Sequence, residues 1–396
     1  MSLSLSTESE RLLAALAGGG ARLAVIAAGG GAEAISRLVS TPGASEVVLE
    51  GLVPYARAAV DGLLGGPQES YCSARTARRL AVAAWERAVR LEEAGGVEPA
   101  EARRRAVGAA VTAALRTSRP RRGEHRIVVA VQTRAATRVA EVVLEKDARS
   151  RGDEERLAAA LGLAEIAAAC GAAGVIPAPT LRAGEAIRRD MVEPPESWRE
   201  LFCGTRASVE AGAGPDGAGP SPAGGLVFPG SFDPLHEGHL LMARIAEEIA
   251  ERPLAYEISI TNVDKPTLDY VELRDRAAQF TTRPLWFTRA ATFVEKLPIF
   301  PRSTFVMGAD TFARLVDPRY YGGSKPAATR AAKTIAAKAG GLIVFGRARD
   351  GVFQEAAAIE VPPALRDVAY FVSQREFRLD LSSTQLRRQA LAGSGT

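Results

Sequence analysis

The stretch "FPGSFDPLHEGHLLMA" at 228–243 decides how the second half of this 396-residue chain is read. The whole chain holds three histidines, and two of them, His236 and His239, stand within four residues here. Upstream, "GGLVFPG" has the short apolar run of a strand; downstream, "HLLMARIAEEIAER" carries apolar residues at helical spacing. Between them Gly230 and Ser231 let the backbone turn tightly and present amide N–H groups, to which the helix adds its positive end. Gly238 has no side chain, so a bulky ligand can approach the helix closely. His236 and His239 lie three apart, on one face of the first helical turn. Two imidazole donors so placed suit a phosphate chain. Two other readings stay open: histidines that merely begin a helix, and a metal pair. The second lacks a companion cluster of cysteines or carboxylates, and H-E-G-H is not the spacing of a metalloprotease helix.

Outward from this stretch, "AYEISIT", "STFVMGAD" and "GLIVFGRA" read as strands, and "VELRDRAAQF" and "SSTQLRRQALA" as helices. Strands regularly followed by helices predict a Rossmann-like, doubly wound parallel sheet with ligands at the carboxyl ends of its strands. Segments 230–239, 261–265, 308–310 and 346–347 each follow a strand end and should share one rim. On the amino-terminal side, "ASVEAGAGPDGAGPSPAGG" (207–225) is almost entirely Gly, Ala, Pro and Ser, with one valine. Such a stretch buries too little surface to offset its ordering entropy and reads as a linker. The expected organisation is a domain over 1–206, a linker over 207–224 and a second domain over 225–396. In the first domain "ESERLLAALA", "AEAISRLVS", "SARTARRLAVAAWERAVRLEEAG" and "DEERLAAALGLAEIAAAC" read as helices, while "ARLAVIAAGGG", "HRIVVAVQT" and "ATRVAEVVLE" read as strands. That alternation predicts a separate α/β sandwich.

Composition narrows the function. The net charge is +4, and only six of the fifty basic residues are lysines, a balance suited to phosphate-bearing ligands. A nucleic-acid partner would call for a dense basic stripe interleaved with aromatics; the nearest approach, "RTSRPRRGEHR" (116–126), reads as a solvated loop. Cys72, Cys170 and Cys203 are odd in number and widely spaced, which suggests neither a disulfide framework nor a metal cluster. "LAAALGLAEIAAACGAAGVIPA" (157–178) contains Glu165 and ends at prolines, so a buried helix fits it better than a membrane span. Glu8, Glu10 and Arg11 stand where a signal peptide needs an apolar core. The expectation is a cytoplasmic, reduced protein with no membrane and no nucleic-acid partner.

"GSFDPLHEGH" resembles the H-x-G-H motif of the nucleotidyltransferase superfamily in its form G-x-F-D-P-x-H-x-G-H. "LSSTQLRR" (381–388) resembles the second signature of that superfamily, I-S-S-T-x-I-R. Between them "TNVDKP" (261–266) and "GADTFARLVDPRYY" (308–321) are similar to segments of bacterial nicotinate or nicotinamide mononucleotide adenylyltransferases. The resemblance covers essentially 225–390. It implies that His236, His239 and Lys265 contact the ATP phosphates as catalytic groups. It implies that Gly230, Ser231, Phe232, Gly238 and Asp310 lie about the nucleotide, and that Ser382, Ser383, Thr384 and Arg387 hold phosphate at a helix start. The implied reaction is adenylyl transfer from ATP to a mononucleotide with release of pyrophosphate, in NAD biosynthesis, with Mg²⁺ bridging the phosphates. Alternatives are another H-x-G-H transferase, of phosphopantetheine or cytidylyl type, and a nucleotide-binding regulator without turnover.

The first domain resembles the nicotinamide mononucleotide deamidase family, the CinA-type domain of competence-damage-inducible proteins, through "LVSTPGASEVVLEGLVPYARAAVDGLLG" (38–65) and "RGDEERLAAALGLAEI" (151–166). Its functional motifs are lost. Ala27 in "IAAGGG" stands where the family has its serine, Val60 in "YARAAV" where it has a lysine, and "TAALRT" (112–117) replaces a glycine loop. Tyr55 remains; Ser73 reads as a helix cap, and Lys146 is the only lysine before the linker. A serine hydrolase without serine and activating lysine cannot run its chemistry. The resemblance therefore implies a degenerate deamidase fold, serving binding, regulation or assembly of a homo-oligomer.

Overall fold

The computed structural model describes residues 5–118, 122–212, 223–262, 265–315, 317–349, 352–354 and 361–372. Its contacts divide the chain into two compact units, Met1–Pro195 with Asp264–Leu273, and Glu196–Val263 with Arg274–Thr396.

The first unit runs α1 (Leu5–Gly18), β1 (Arg22–Ala28), α2 (Ala32–Val39), β2 (Val48–Leu52), α3 (Arg57–Leu64), α4 (Ala74–Ala94), α5 (Pro99–Arg105), β3 (Ala106–Ala114), β4 (His125–Gln132), β5 (Thr137–Leu144), α6 (Arg151–Ala169) and β6 (Arg188–Val192). The sheet order is β2-β1-β3-β4-β5-β6, with β1 parallel to both neighbours and the other pairs antiparallel. Every residue of β3, "AVGAAVTAA", is buried, because helices press on it from both faces. On one face α4 lies so close that a Cβ at Gly108 would fall 2.1 Å from the Ala81 carbonyl oxygen and 2.2 Å from the Trp85 nitrogen. Only glycine fits there. On the other face Leu12, Leu16, Leu38, Leu157 and Leu161 close over Val25, Val111 and Val129. Helix α6 is started by a capping box in which Ser150 and Asp153 answer each other's backbone. It is no membrane span: Glu165 is buried and accepts from Arg189 Nε at 2.8 Å. No helix of the described residues is long and apolar enough to cross a membrane. The third histidine, His125, is a core residue whose Nδ1 lies 2.7 Å from Glu154 Oε1. Residues after Lys265 complete this unit: Asp269 accepts from Arg78 Nε at 3.1 Å, and the Tyr270 N–H donates to Thr137 Oγ1 at 3.0 Å.

The second unit runs α7 (Glu196–Cys203), β7 (Ser208–Glu210), β8 (Leu226–Pro229), α8 (Glu237–Ala250), β9 (Leu254–Ser259), α9 (Tyr270–Ala277, its first residues grouping with the first unit), β10 (Leu285–Thr288), α10 (Phe293–Lys296), β11 (Thr304–Gly308), α11 (Ala309–Arg314), α12 (Lys325–Lys338), β12 (Gly341–Phe345), the hairpin β13 (Arg347–Arg349) and β14 (Val352–Gln354), and β15 (Ala369–Val372). The sheet order is β15-β12-β11-β8-β9-β10-β7, and all pairs are parallel except β10 with β7. Numbered in chain order, the six parallel strands read 3-2-1-4-5-6, an order of the doubly wound kind of sheet expected from sequence. Its switch point lies between β8 and β11.

Ser208–Glu210 belongs to this sheet although its composition reads as linker. The one valine of that stretch, Val209, is fully buried and pairs with Phe287. Trp198 of α7 packs edge-on against the same Phe287, ring centroids 5.2 Å apart. A single buried side chain and a ladder suffice to order an edge strand that flanking Gly, Ala and Pro conceal.

Candidate active site

Strand β8 is buried along its length and delivers its carboxyl end to the switch point. The Gly230 N–H continues the ladder by donating to the Glu257 carbonyl at 2.9 Å. A Cβ on Gly230 would meet the Phe232 ring at 2.5 Å, so glycine is required for the turn to close over that ring. Phe232 itself has φ 42, is fully buried, and packs edge-on to Phe228, Tyr256, Phe280 and His239, the last at 4.9 Å. It offers no surface to a ligand. Its part is to seat His239 from beneath, where the resemblance alone would put it beside the nucleotide.

His236 is the N-cap of α8 and His239 its third residue. Their rings stack with centroids 3.7 Å apart and planes 22° off parallel. The backbone N–H of His236 donates to His239 Nδ1 at 3.3 Å, so this nitrogen is an acceptor and the proton of the neutral ring sits on Nε2. Burial, and next the neighbouring His236, push the His239 pKa down to about 3. His239 is therefore a neutral hydrogen-bond donor at physiological pH. Gly238 is buried between them in the first turn, and Ser231 is exposed.

Across the switch point β11 ends at Gly308, the N-cap of α11, which places Asp310 in the first turn of that helix. The rim thus brings together 230–239 and 308–310. Lys265 is exposed and groups with the first unit. Ser382, Ser383, Thr384 and Arg387 lie outside the described residues. Two residues that composition and motif did not single out hold the turn from α9's end. Arg276, 7% exposed, donates from Nη1 to the Ser231 carbonyl and sets Nη2 3.6 Å from Asp233 Oδ2. Gln279 accepts the Leu235 N–H at 2.7 Å and donates to the Phe232 carbonyl at 3.3 Å.

The first unit has a concave site of its own, a cavity of about 790 Å³ at the carboxyl ends of β1 and β3. Ala28 and Gly29, Tyr55 and Val60, and Ala113, Ala114, Leu115 and Thr117 all line it, so the three segments compared by resemblance with deamidase motifs do meet. Arg57, Arg126 and Arg151 supply its cations and no lysine reaches it. Burial pushes the thiol of Cys72 up, which keeps it protonated and poorly nucleophilic. The head of α2 beside it is already filled from within the chain: the Glu33 N–H donates to Glu155 Oε1 at 3.2 Å.

A doubly wound sheet with a glycine turn and a helix head at its switch point is the arrangement of nucleotide-handling α/β domains. Residues 227–389 match the cytidylyltransferase-like family, and the carboxyl-terminal region is a nucleotidyltransferase domain of that kind. The solved structures to which the chain is similar include competence-damage proteins. A CinA superfamily protein of Escherichia coli is 17% identical, with 42% of this chain and 92% of that chain covered and a TM-score of 0.33. The competence or damage-inducible protein of Enterobacter asburiae is 18% identical, with 43% and 99% covered and a TM-score of 0.33. The protein CihA of Agrobacterium tumefaciens is 20% identical, with 43% and 99% covered and a TM-score of 0.34. No curated protein matches the sequence significantly.

Proposed function

We propose that the second unit is an adenylyltransferase that joins ATP to nicotinate or nicotinamide mononucleotide and releases pyrophosphate, a step of NAD biosynthesis. The observation that carries this reading is the stacked pair His236 and His239 at the head of α8, beside the β8/β11 switch point. An oxygen of the acceptor phosphate attacks the α-phosphorus of ATP. The bond from that phosphorus to the bridging oxygen breaks, and its electron pair leaves with pyrophosphate. The attacking group is already an anion, so no general base is needed. What the chain must supply is alignment and donors for the charge that builds on the leaving oxygens. The His239 Nε2–H, the His236 ring and the amides of the turn and helix head are those donors. Among the described residues no group of three His, Cys, Asp or Glu side chains could hold a metal ion, and Mg²⁺ carried on nucleotide phosphates needs no such group. We therefore propose that Mg²⁺ enters with the ATP phosphates, whose charge it offsets.

The cytidylyltransferase-like match favours one second reading, CTP as the donor to a different phosphorylated acceptor. The test is pyrophosphate release by the purified chain with Mg²⁺, ATP or CTP, and a panel of mononucleotides and phosphorylated alcohols. Release only with ATP and a nicotinate or nicotinamide mononucleotide is the expected result. Release only with CTP overturns the adenylyl reading, and nucleotide binding without release by any pair supports a regulator. His236→Ala should lower kcat by about 10²–10³-fold in a folded protein, the effect of losing one such donor.

A further inference from the structure

We propose that Arg276, with Gln279 beside it, is a positioning residue for the histidine pair, fixing the 231–235 turn so that His236 and His239 face the phosphate chain in one geometry. Its kinetic consequence rests on the adenylyltransferase reading; its structural consequence does not.

Four residues of the turn are answered by these two side chains. The Arg276 guanidinium takes the Ser231 carbonyl and faces the Asp233 carboxylate, while Gln279 takes the Phe232 carbonyl and the Leu235 N–H. Arg276 stands near the end of α9 and Gln279 in the turn that follows it, and both side chains reach the 231–235 turn. A guanidinium this buried is costly unless its N–H groups are answered, so the carbonyl and carboxylate lock it as firmly as it locks them. A planar fork can serve both partners at once, which the point charge of lysine cannot. The consequence runs straight into the site. Leu235, whose N–H is held, is followed by His236, and the rings of His236 and His239 stack at 3.7 Å and move together. Donors act on developing charge only when held in place, so loosening the turn costs rate before it costs nucleotide affinity.

The experiment compares Arg276→Ala and Arg276→Lys in the full chain, with Arg274→Ala, an exposed position on the same helix, as control. In Arg276→Ala, kcat should fall about a hundredfold while KM for ATP changes less than about threefold. Added guanidinium ion should restore part of kcat to Arg276→Ala, and Arg276→Lys should stay impaired. In the unliganded protein the ring resonances of His236 and His239 should shift in Arg276→Ala and return with guanidinium, while that of His125 stays. Should Arg276→Ala not fold, Arg276→Lys carries the same readouts. A folded Arg276 variant with wild-type kcat and unshifted histidine resonances overturns the proposal. So does a loss of kcat matched entirely by a loss of folded protein. If the wild-type chain releases no pyrophosphate with any donor, the adenylyltransferase reading fails, and the resonance shifts alone decide the positioning role.

Discussion

Replacing His239 by glutamine, which keeps a neutral donor but takes up no proton, should flatten the pH dependence of stability on the acid side. In the folded chain, burial and then His236 hold the His239 pKa near 3, against an ordinary value of 6.5. Above the ordinary value both folded and unfolded states carry a neutral ring, so the group adds nothing to the pH dependence. As pH falls below it, the unfolded chain binds a proton that the folded chain refuses, and stability is lost until the folded pKa is reached. At pH 5 the interval is about 1.5 units and the loss about 2 kcal/mol, rising toward about 5 kcal/mol near the folded pKa. The assay is urea unfolding of wild type and His239→Gln between pH 7.5 and pH 5. His125 and His236 are present in both proteins, so the difference isolates His239 apart from its coupling to His236. The wild-type advantage should shrink, or its deficit grow, by about 2 kcal/mol over that range. A difference that stays flat, or moves the other way, refutes the buried neutral ring. With only three histidines in the chain, ring nitrogen NMR gives a direct check. His239 should hold its proton on Nε2 and show no titration at pH 5 or above. A bound polyphosphate, placing negative charge beside the ring, should move that titration upward.

Two further substitutions probe the scaffold. Gly108→Ala puts a Cβ 2.1 Å from the Ala81 carbonyl oxygen, so α4 must move off β3. The cost should be about 3 kcal/mol, at the upper end for overpacking, read as a lowered Tm. Val209→Asp sets a carboxylate at a fully buried edge-strand position and should cost about 2–4 kcal/mol by denaturant unfolding. An unchanged midpoint would mean that 208–210 is linker after all.

How far the chain could be read from its residues depended on how local each signal is. The β8 strand, its glycine turn and α8 lie within about two dozen consecutive residues, and each uses residue types suited to its backbone. They were legible together. Strand β3 was not, because "AVGAAVTAA" shows no alternation and no aromatic residue, and only Val107, Val111 and Thr112 of its nine residues are β-branched. Its small residues answer to α4 and to the helices opposite, a constraint that exists only after folding. The three first-unit segments were picked out by resemblance, yet their meeting around one cavity appears only in three dimensions, as does Glu155 filling the head of α2.

The clamp on the site turn shows the same limit at closer range. In the proposed reaction a phosphate donor has to sit at the head of the helix beside the ligand, so chemistry would fix the spacing of His236 and His239 and a motif can record it. A guanidinium holding the Ser231 carbonyl can reach it from any element packed against the turn, and here it comes from 45 positions away. Many sequences would place such a fork, so no fixed spacing marks it. Residues with the role proposed for the histidines therefore leave a pattern in the sequence, whereas those with the role proposed for Arg276 leave one only in the fold.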